Sequence, residues 1–486
     1  MGILKRLKKY LARKINKRAF YETANIQRLV QGWLTGTSHI NEIQKVDGPV
    51  LVARARDLAR NNDVVRGFLL EADKNVIGPK GIQIQGNVKD PGGSSDERAN
   101  QEIERGWNDW SKPGNCDLSG KSSFKEIQSQ ILVNFLRDGE AVVKEYQGGS
   151  YGKYGYQVQV LDAAQVDYNY SVPTKRINLG IESDDRGRPV KYYYNETTTV
   201  SGTTFHQALD ANTIIHIFKV ERPGQLRGCT WLASSGYRLK VMDGWEEASL
   251  VGARVAASQM GFFKKTDESS MGFQGDGKGK DGTNDSSGYM EMTSEPGVFR
   301  ELPYGMDFQA FDPKQPSTTF PEFRTAAMKS IASGLGVSFT TLGNDLSDVN
   351  YSSARIGLLG DRDLWRCMQE FLSTHLLQRI FDKWLPMFLI SGNTHLPISK
   401  VEKFNDVKWQ PRGWAWVDPQ KESKANETAW LLRTKPLADS CAEQGKNWKE
   451  VMAQIKLEQD EADRLGITLK ENEQPQETGN SRQAIS

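Results

Sequence analysis

The stretch Gly272-Phe273-Gln274-Gly275-Asp276-Gly277-Lys278-Gly279 has the GxxxxGK spacing of a phosphate-cradling loop, in which backbone N–H groups hold the phosphates and the lysine reaches between them. Gly279 stands where that chemistry needs a Ser or Thr hydroxyl on Mg²⁺, and no apolar strand precedes the stretch, so it reads as a flexible loop. The acidic run from Asp276 to Asp285 fails as a calcium loop, because Lys278 and Lys280 occupy positions that need oxygen ligands. His39, His206, His216, His375 and His395 are scattered, with no HExxH and no His/Cys pairing that could hold zinc. Asp138/Glu140 and Asp184/Asp185 could bind Mg²⁺ for a nuclease, yet each pair lies beside a glycine, Gly139 or Gly187, which favours a turn. Neither GxSxG nor a Ser, His and Asp constellation is present. The residues predict no catalytic site, no metal and no cofactor: a protein that is not an enzyme.

Composition narrows the choice of partners. The 486 residues are 37% hydrophobic, and a mean hydropathy of -0.59 is polar for a compact monomer and favours an elongated molecule with subunit-facing surface. Net charge is +2, but residues 1 to 20 hold eight cations, from Lys5 to Arg18, and no acid, which leaves the remainder at −6. Tight wrapping of nucleic acid requires clustered Lys and Arg, so contact between this body and DNA is expected to be loose. The four cysteines form no CxxC and fit a reducing compartment. No apolar run is long enough for a membrane span, and no secretory h-region is present.

Hydrophobic periodicity then supplies the elements. Residues 1 to 24 form a basic segment with Leu4, Leu7, Leu11 and Ile15 at helical spacing. Helix is predicted for 50–70, 96–110 and from Ser122 through Phe135, and a broken strand for 76–85. Alternation at 141–146, 156–161, 190–194 and 214–218 predicts a small antiparallel sheet, making the first 225 residues or so an α+β unit. A proline-free run from Trp231 to Phe263 predicts a helix of about 50 Å. Low-complexity 264–288 follows, then strand-like pieces at 289–293, 298–302 and 307–311. Helix returns at 320–335, breaks at Leu342-Gly343-Asn344-Asp345 and resumes at Ser352, with Leu364, Met368, Leu372, Leu376, Ile380 and Trp384 on one face until Pro386 ends it. A strand at 409–417, helices at 419–432 and 448–464, and a polar, disordered tail complete the chain.

Five segments in order resemble the lambda-type family of phage portal proteins: Asp138-Gly139-Glu140; Gly180-Ile181-Glu182 with Asp184 and Gly187-Arg188-Pro189-Val190; Arg222-Pro223-Gly224-Gln225 with Arg227-Gly228; Val349-Asn350-Tyr351-Ser352-Ser353-Ala354-Arg355; and Val417-Asp418-Pro419 with Lys421-Glu422. The resemblance implies a ring of twelve subunits around an axial channel for double-stranded DNA. It implies an α+β portal fold: a wing at 25–228, a first stem helix at 229–263, a β-rich clip at 264–319, a second stem helix at 320–340, a tunnel loop at 341–352, a long wing helix and return strand at 353–418, crown helices at 419–466 and a disordered tail at 467–486. Partners implied are the terminase large subunit, the major capsid protein and scaffold, and head-completion or tail adaptor proteins, with assembly in the bacterial cytoplasm and residence at one capsid vertex of the virion. Asn344, Asp345, Asp348 and Asn350 of the tunnel loop are expected to approach DNA, with Lys264 and Lys265 near phosphate at the stem-to-clip junction.

The charge pattern of the first stem helix is consistent with a sliding conduit. About 50 Å of duplex presents roughly thirty phosphates, which a uniformly cationic wall would grip. Between 231 and 263, Arg238, Lys240 and Arg254 are balanced by Asp243, Glu246 and Glu247. The rival readings are a DNA-processing enzyme, which would cleave DNA in the presence of metal, and a membrane-surface or scaffolding protein anchored by residues 1 to 20.

Overall fold

The computed structural model describes residues 36–197, 204–258, 261–265, 306–310, 320–345, 351–414 and 419–466. Expectations for the basic segment at 1–24, the low-complexity stretch with Gly272 to Gly279, the strand-like pieces at 289–302 and the C-terminal tail lie outside these residues.

Helix α1 (Ile40–Asn61) and α2 (Asp63–Val76) meet at Asn62, whose extended backbone breaks the path and whose side chain accepts from the Val65 N–H at 2.9 Å to cap α2. The single helix expected at 50–70 is therefore two, and the first begins ten residues earlier, with Pro49 inside it. Strand β1 (Gln83–Gly86) is shorter than the 76–85 strand expected, because α2 runs to Val76 and Gly78 and Gly81 turn the chain at positive φ. Helix α3 (Glu97–Trp110) falls where the periodicity put it, and α4 (Phe124–Arg137) begins one residue beyond expectation, with Ser123 rather than Ser122 as N-cap, in a capping box with Glu126.

The alternating segments form two sheets rather than one. Strands β2 (Glu140–Gln147), β3 (Tyr156–Leu161) and β8 (Ile214–Phe218) make one in the order β3-β2-β8. Short β4 (Ile177–Asn178) and β5 (Ile181–Ser183) join β6 (Pro189–Thr197) and β7 (Thr204–Asp210) in the other, and both sheets are antiparallel throughout. Val142, Leu161, Ala163, Val166, Ile181, Tyr192, Leu209 and Ile214 pack together as a small core shared by the two sheets.

Helix α5 (Gly236–Ser258) is shorter at both ends than the helix expected at 231–263. Residues 231–235 instead form turns, tied down when the Trp231 indole donates to the Leu335 carbonyl at 2.9 Å. At the other end, β9 (Gly261–Lys265) pairs with β10 (Met306–Ala310). Helix α6 (Phe320–Leu335) returns alongside α5: Trp245 meets the edge of Phe323 at 5.0 Å, and Arg324 pairs with Glu246 at 2.6 Å.

After α7 (Phe339–Gly343), the chain is helical from α8 (Tyr351–Leu372) through a π turn at Ser373–Leu377 into α9 (Gln378–Ile390). Pro386 does not end this run. A mid-helix proline costs about 3 kcal/mol, but Trp384, Leu385, Phe388 and Leu389 around it are buried, and Phe388 stacks on Trp384 at 4.7 Å. Short α10 (Val401–Phe404) leads to β11 (Val407–Gln410), which pairs with β1; of the strand expected at 409–417, residues 411–414 are irregular and 415–417 are outside the described set. Helices α11 (Pro419–Leu431), α12 (Leu437–Glu443) and α13 (Trp448–Leu465) close the chain, α12 being unexpected.

The main core is aromatic. The Trp107 ring lies within 5.6 Å, centroid to centroid, of Trp110, Phe124, Phe381, Trp384 and Trp409, which joins α3, α4, α9 and β11 into one body.

Candidate channel-facing segment

The short helix α7, which leads into the segment between α7 and α8, is tied at its start to one buried carboxylate of α8. Ser338 caps α7, its hydroxyl accepting from the Thr341 N–H at 3.2 Å. Asp361 of α8, 3% exposed, accepts from the Ser338 N–H at 2.7 Å, the Ser338 hydroxyl at 2.7 Å and the Thr341 hydroxyl at 2.5 Å. Phe339 and Leu342 pack back on the main core, and the Lys329 ammonium sits 5.6 Å over the Phe339 ring. Helix α7, which leads into the loop, is thereby tied to α8, which follows it. Sequence reasoning missed α7, although Ser338 at its start and Gly343-Asn344 at its end are the signals of a short capped helix.

Asn344 takes the left-handed conformation (φ 49°) that terminates α7, and Asp345 follows it. Asp348 and Asn350 lie outside the described residues. Lys264 and Lys265 are on β9, opposite Asp307 and Met306 of β10, at the far end of the α5/α6 pair. Helix α5 is 23 residues long, so about 35 Å of helix separates these lysines from Asn344. The structure does not bring the two groups together.

Three of the six charges that balance the expected stem helix are already engaged within the chain. Glu246 holds Arg324, Asp243 accepts from the Asn62 amide at 2.6 Å, and Arg238 donates to the Ser330 hydroxyl. Burial raises the Asp243 carboxyl against the Asn62 bond. Lys240, Glu247 and Arg254 remain on exposed surface.

The recurring sequence segments meet at two points. Glu140, the first residue of β2, is fully buried and receives the Arg227 Nε at 2.9 and 3.0 Å, the Arg227 Nη2 at 2.5 Å, the Gly228 N–H at 3.0 Å and His216 Nε2 at 3.0 Å. Arg227 also donates to the carbonyls of Ala163, Val166 and Leu179 and lies 3.9 Å over the Tyr168 ring. Burial alone would push the Glu140 carboxyl up; the Arg227 charge and the bonds from His216 and Arg227 outweigh it and hold the group far below the usual carboxylate range. A Cβ on Gly228 would fall 2.1 Å from the Gly139 carbonyl oxygen, and one on Gly139, at φ +91°, 2.2 Å from the Cys229 carbonyl carbon. Glu140 is thus neither a metal ligand nor only a turn residue but half of a buried ion pair. Asp184 is a turn residue, accepting from the N–H groups of Arg186 and Arg188. The other two segments meet where Arg355 reaches Glu422 at 3.4 Å.

Among the described residues no cluster of His, Cys, Asp and Glu could hold a metal ion, and no helix is long and apolar enough to cross a membrane. The family model described as "Phage portal protein, lambda family" matches residues 27–369. The chain is 30% identical over 460 residues to the "Probable portal protein" of Halomonas phage phiHAP-1, covering 92% of this chain and 87% of that one. It is 21% identical over 442 residues to the "Portal protein" of Escherichia phage N15, covering 83% of this chain and 82% of the relative. A solved structure of the neck of an empty gene transfer agent particle aligns at a TM-score of 0.45 and 14% identity, over 83% of this chain and 93% of that one.

Proposed function

The chain belongs to the lambda family of phage portal proteins, a structural family, and on that premise we propose that it is the subunit of a twelve-membered ring lining the DNA channel at one capsid vertex. The observation that carries this reading is the pair of long helices α5 and α6, joined at one end by the β9/β10 ribbon and leading at the other into α7 and the loop after it. In this reading α5 and α6 are the stem, the residues between them the clip, 25–228 the wing and 344–350 the tunnel loop, narrower than 341–352 because α7 takes its start and α8 its end; α8 and α9 are the wing helix, and α11 to α13 the crown.

The ring does no chemistry of its own. A motor partner, the terminase large subunit, docks on the clip and supplies the energy; capsid and scaffold proteins surround the wing; head-completion or tail adaptors follow. Asn344, Asp345, Asp348 and Asn350 approach the moving duplex, and Lys264 and Lys265 meet phosphate near the entrance. The Ser338–Asp361 network supports the assignment of the loop, because a contact that must ride over passing phosphates works best when the helices that carry it are fixed to each other.

Native mass spectrometry with negative-stain imaging of the full-length chain tests the reading. Rings of about twelve subunits with a central hole are expected. A monomer or dimer that persists across salt and concentration would overturn it.

A further inference from the structure

Helix α13 leaves most of its surface uncovered. Ala462 is its one buried residue, whereas Trp448 (38% exposed), Met452 (48%) and Ile455 (42%) repeat at four and three along one side, the pattern of a helix that packs against another helix. From Glu450 to Asp463 the helix also carries five exposed carboxylates and one cation, Lys456. Through Glu450, Val451, Gln454, Ile455 and Glu458 it forms one wall of a cleft of about 810 Å³, whose other wall is built by the turn after α2, by β1 and by α3.

The chemistry of this cleft calls for a cation. Glu104 of α3 lines it, and among the described residues its one donor is the Gly86 N–H at 2.7 Å. Burial pushes the Glu104 carboxyl up, and the charges of Glu450 and Glu97 push the same way, against the Gly86 bond and Lys449. Lys449 is engaged by Glu97 at 2.8 Å and by the Ser95 hydroxyl at 2.9 Å. Of the other cations lining the cleft, Arg412 donates to the Lys74 carbonyl, and Lys80 and Lys446 stand in the turn after α2 and the turn before α13.

We propose that the basic segment at 4–18 of the same chain docks in this cleft as an amphipathic helix, its apolar stripe against Val451 and Ile455 and its lysines against Glu104, Glu450 and Glu458. Leu4, Leu7, Leu11 and Ile15 make that stripe, bordered by Lys8 on one side and Lys14 on the other. It runs about 16 Å, the same span as Val451 to Ala462 on α13. Charge selects this occupant, because no other segment outside the described residues carries an excess of cations. Its tether is long enough. Helices α1 and α2 laid end to end put Ile40 at most about 60 Å from the start of the cleft at Ile77, and the chain from Ile15 to Ile40 extends to about 80 Å.

Carbodiimide cross-linking of the full-length chain, which joins amines to carboxylates in direct contact, tests the docking. Links from Lys8 or Lys14 to Glu450 or Glu458 are expected by mass spectrometry, and in a mixture of heavy-isotope-labelled and unlabelled chains each linked pair should come from one chain. A second measurement places a thiol in the cleft with Q454C, in a C367S background because Cys367 is exposed. That thiol should react with a maleimide about tenfold faster once L7D/L11D removes the stripe, since loss of one buried leucine already shifts an equilibrium by that factor. K8E/K14E should raise the rate about two- to fivefold. Both pairs of substitutions lie outside the folded body, so unfolding of the body should not change. Lysine links that avoid α13, linked pairs of mixed label, which would make a second copy the donor, or a maleimide rate indifferent to L7D/L11D would each overturn the inference. The ring reading is tested separately and stands or falls apart from it.

Discussion

Replacing Arg227 with Met is the most informative perturbation of the buried ion pair at the start of β2. The guanidinium leaves, and with it the bonds to both oxygens of Glu140 and to the carbonyls of Ala163, Val166 and Leu179, all of them buried. Removing one member of a buried ion pair costs about 3–5 kcal/mol, because the other charge stays buried. Three carbonyls left without this donor add about 1 kcal/mol each at most, since each has a second lone pair. A loss of about 3–8 kcal/mol in unfolding free energy at pH 7 follows, read by urea denaturation of the chain before ring assembly. The pH dependence separates this account from simple loss of packing. In the native chain Glu140 has its folded pKa depressed, so it contributes stability above the ordinary carboxylate range that is lost as pH falls through the folded value. In the Met variant burial dominates and raises that pKa, so Glu140 costs stability at neutral pH and the cost vanishes once the group is protonated. The gap between the two proteins should therefore narrow from pH 7 towards pH 4.5. Adding Glu140→Leu to Arg227→Met should recover about 2–3 kcal/mol. A loss below about 1 kcal/mol, or a gap that does not change with pH, would refute the reasoning.

Three further outcomes are expected. Asp361→Ala removes the acceptor of three hydrogen bonds at the start of α7; it should cost about 1–3 kcal/mol and speed proteolysis within 344–350, which limited digestion followed by mass spectrometry measures. Gly228→Ala forces a Cβ into the Gly139 carbonyl and should yield insoluble or unfolded chain, seen as loss of soluble expression. On the proposal that the tunnel loop faces the duplex, Asp345→Lys with Asp348→Lys should slow DNA passage, more strongly at low salt, in a packaging assay; unchanged rates at every salt concentration would remove the loop from the DNA path.

Legibility in the sequence followed the range of the interactions involved. Helices α3, α4, α6, α11 and α13 and strands β2, β3, β6 and β8 were readable because their periodicity and caps are local. Pro386 misled because a local penalty was set against a stacking partner, Phe388 on Trp384, and against burial that only the folded chain reveals. Strand β7 was missed because Phe205, His206 and Gln207 carry little alternation and depend on pairing with β6. The Asp138-Gly139-Glu140 and Arg227-Gly228 segments were recognisable as text, but their meaning was not: nearly ninety residues separate Glu140 from Arg227, and the folded chain brings them together through the β2/β8 pairing and the close approach of Gly139 to Gly228. The pinning of α7 by Asp361 was equally distant, with local signals only at Ser338 and Asn344.

The junction where the wing feeds α5 also has a mechanical meaning. The Arg227–Glu140 pair, the Gly228 N–H on Glu140, the Thr230 hydroxyl on the Arg137 carbonyl at 2.6 Å and the Trp231 N–H on the Leu136 carbonyl at 3.0 Å all tie the segment that leads into α5 to the end of α4 and the start of β2. Ties at Arg227, Gly228, Thr230 and Trp231 fix residues 227–231 to the same piece of the body, as a row of rivets fixes a lap joint. In the proposed ring, a thrust on the helix pair would be passed to the body of the subunit through this joint.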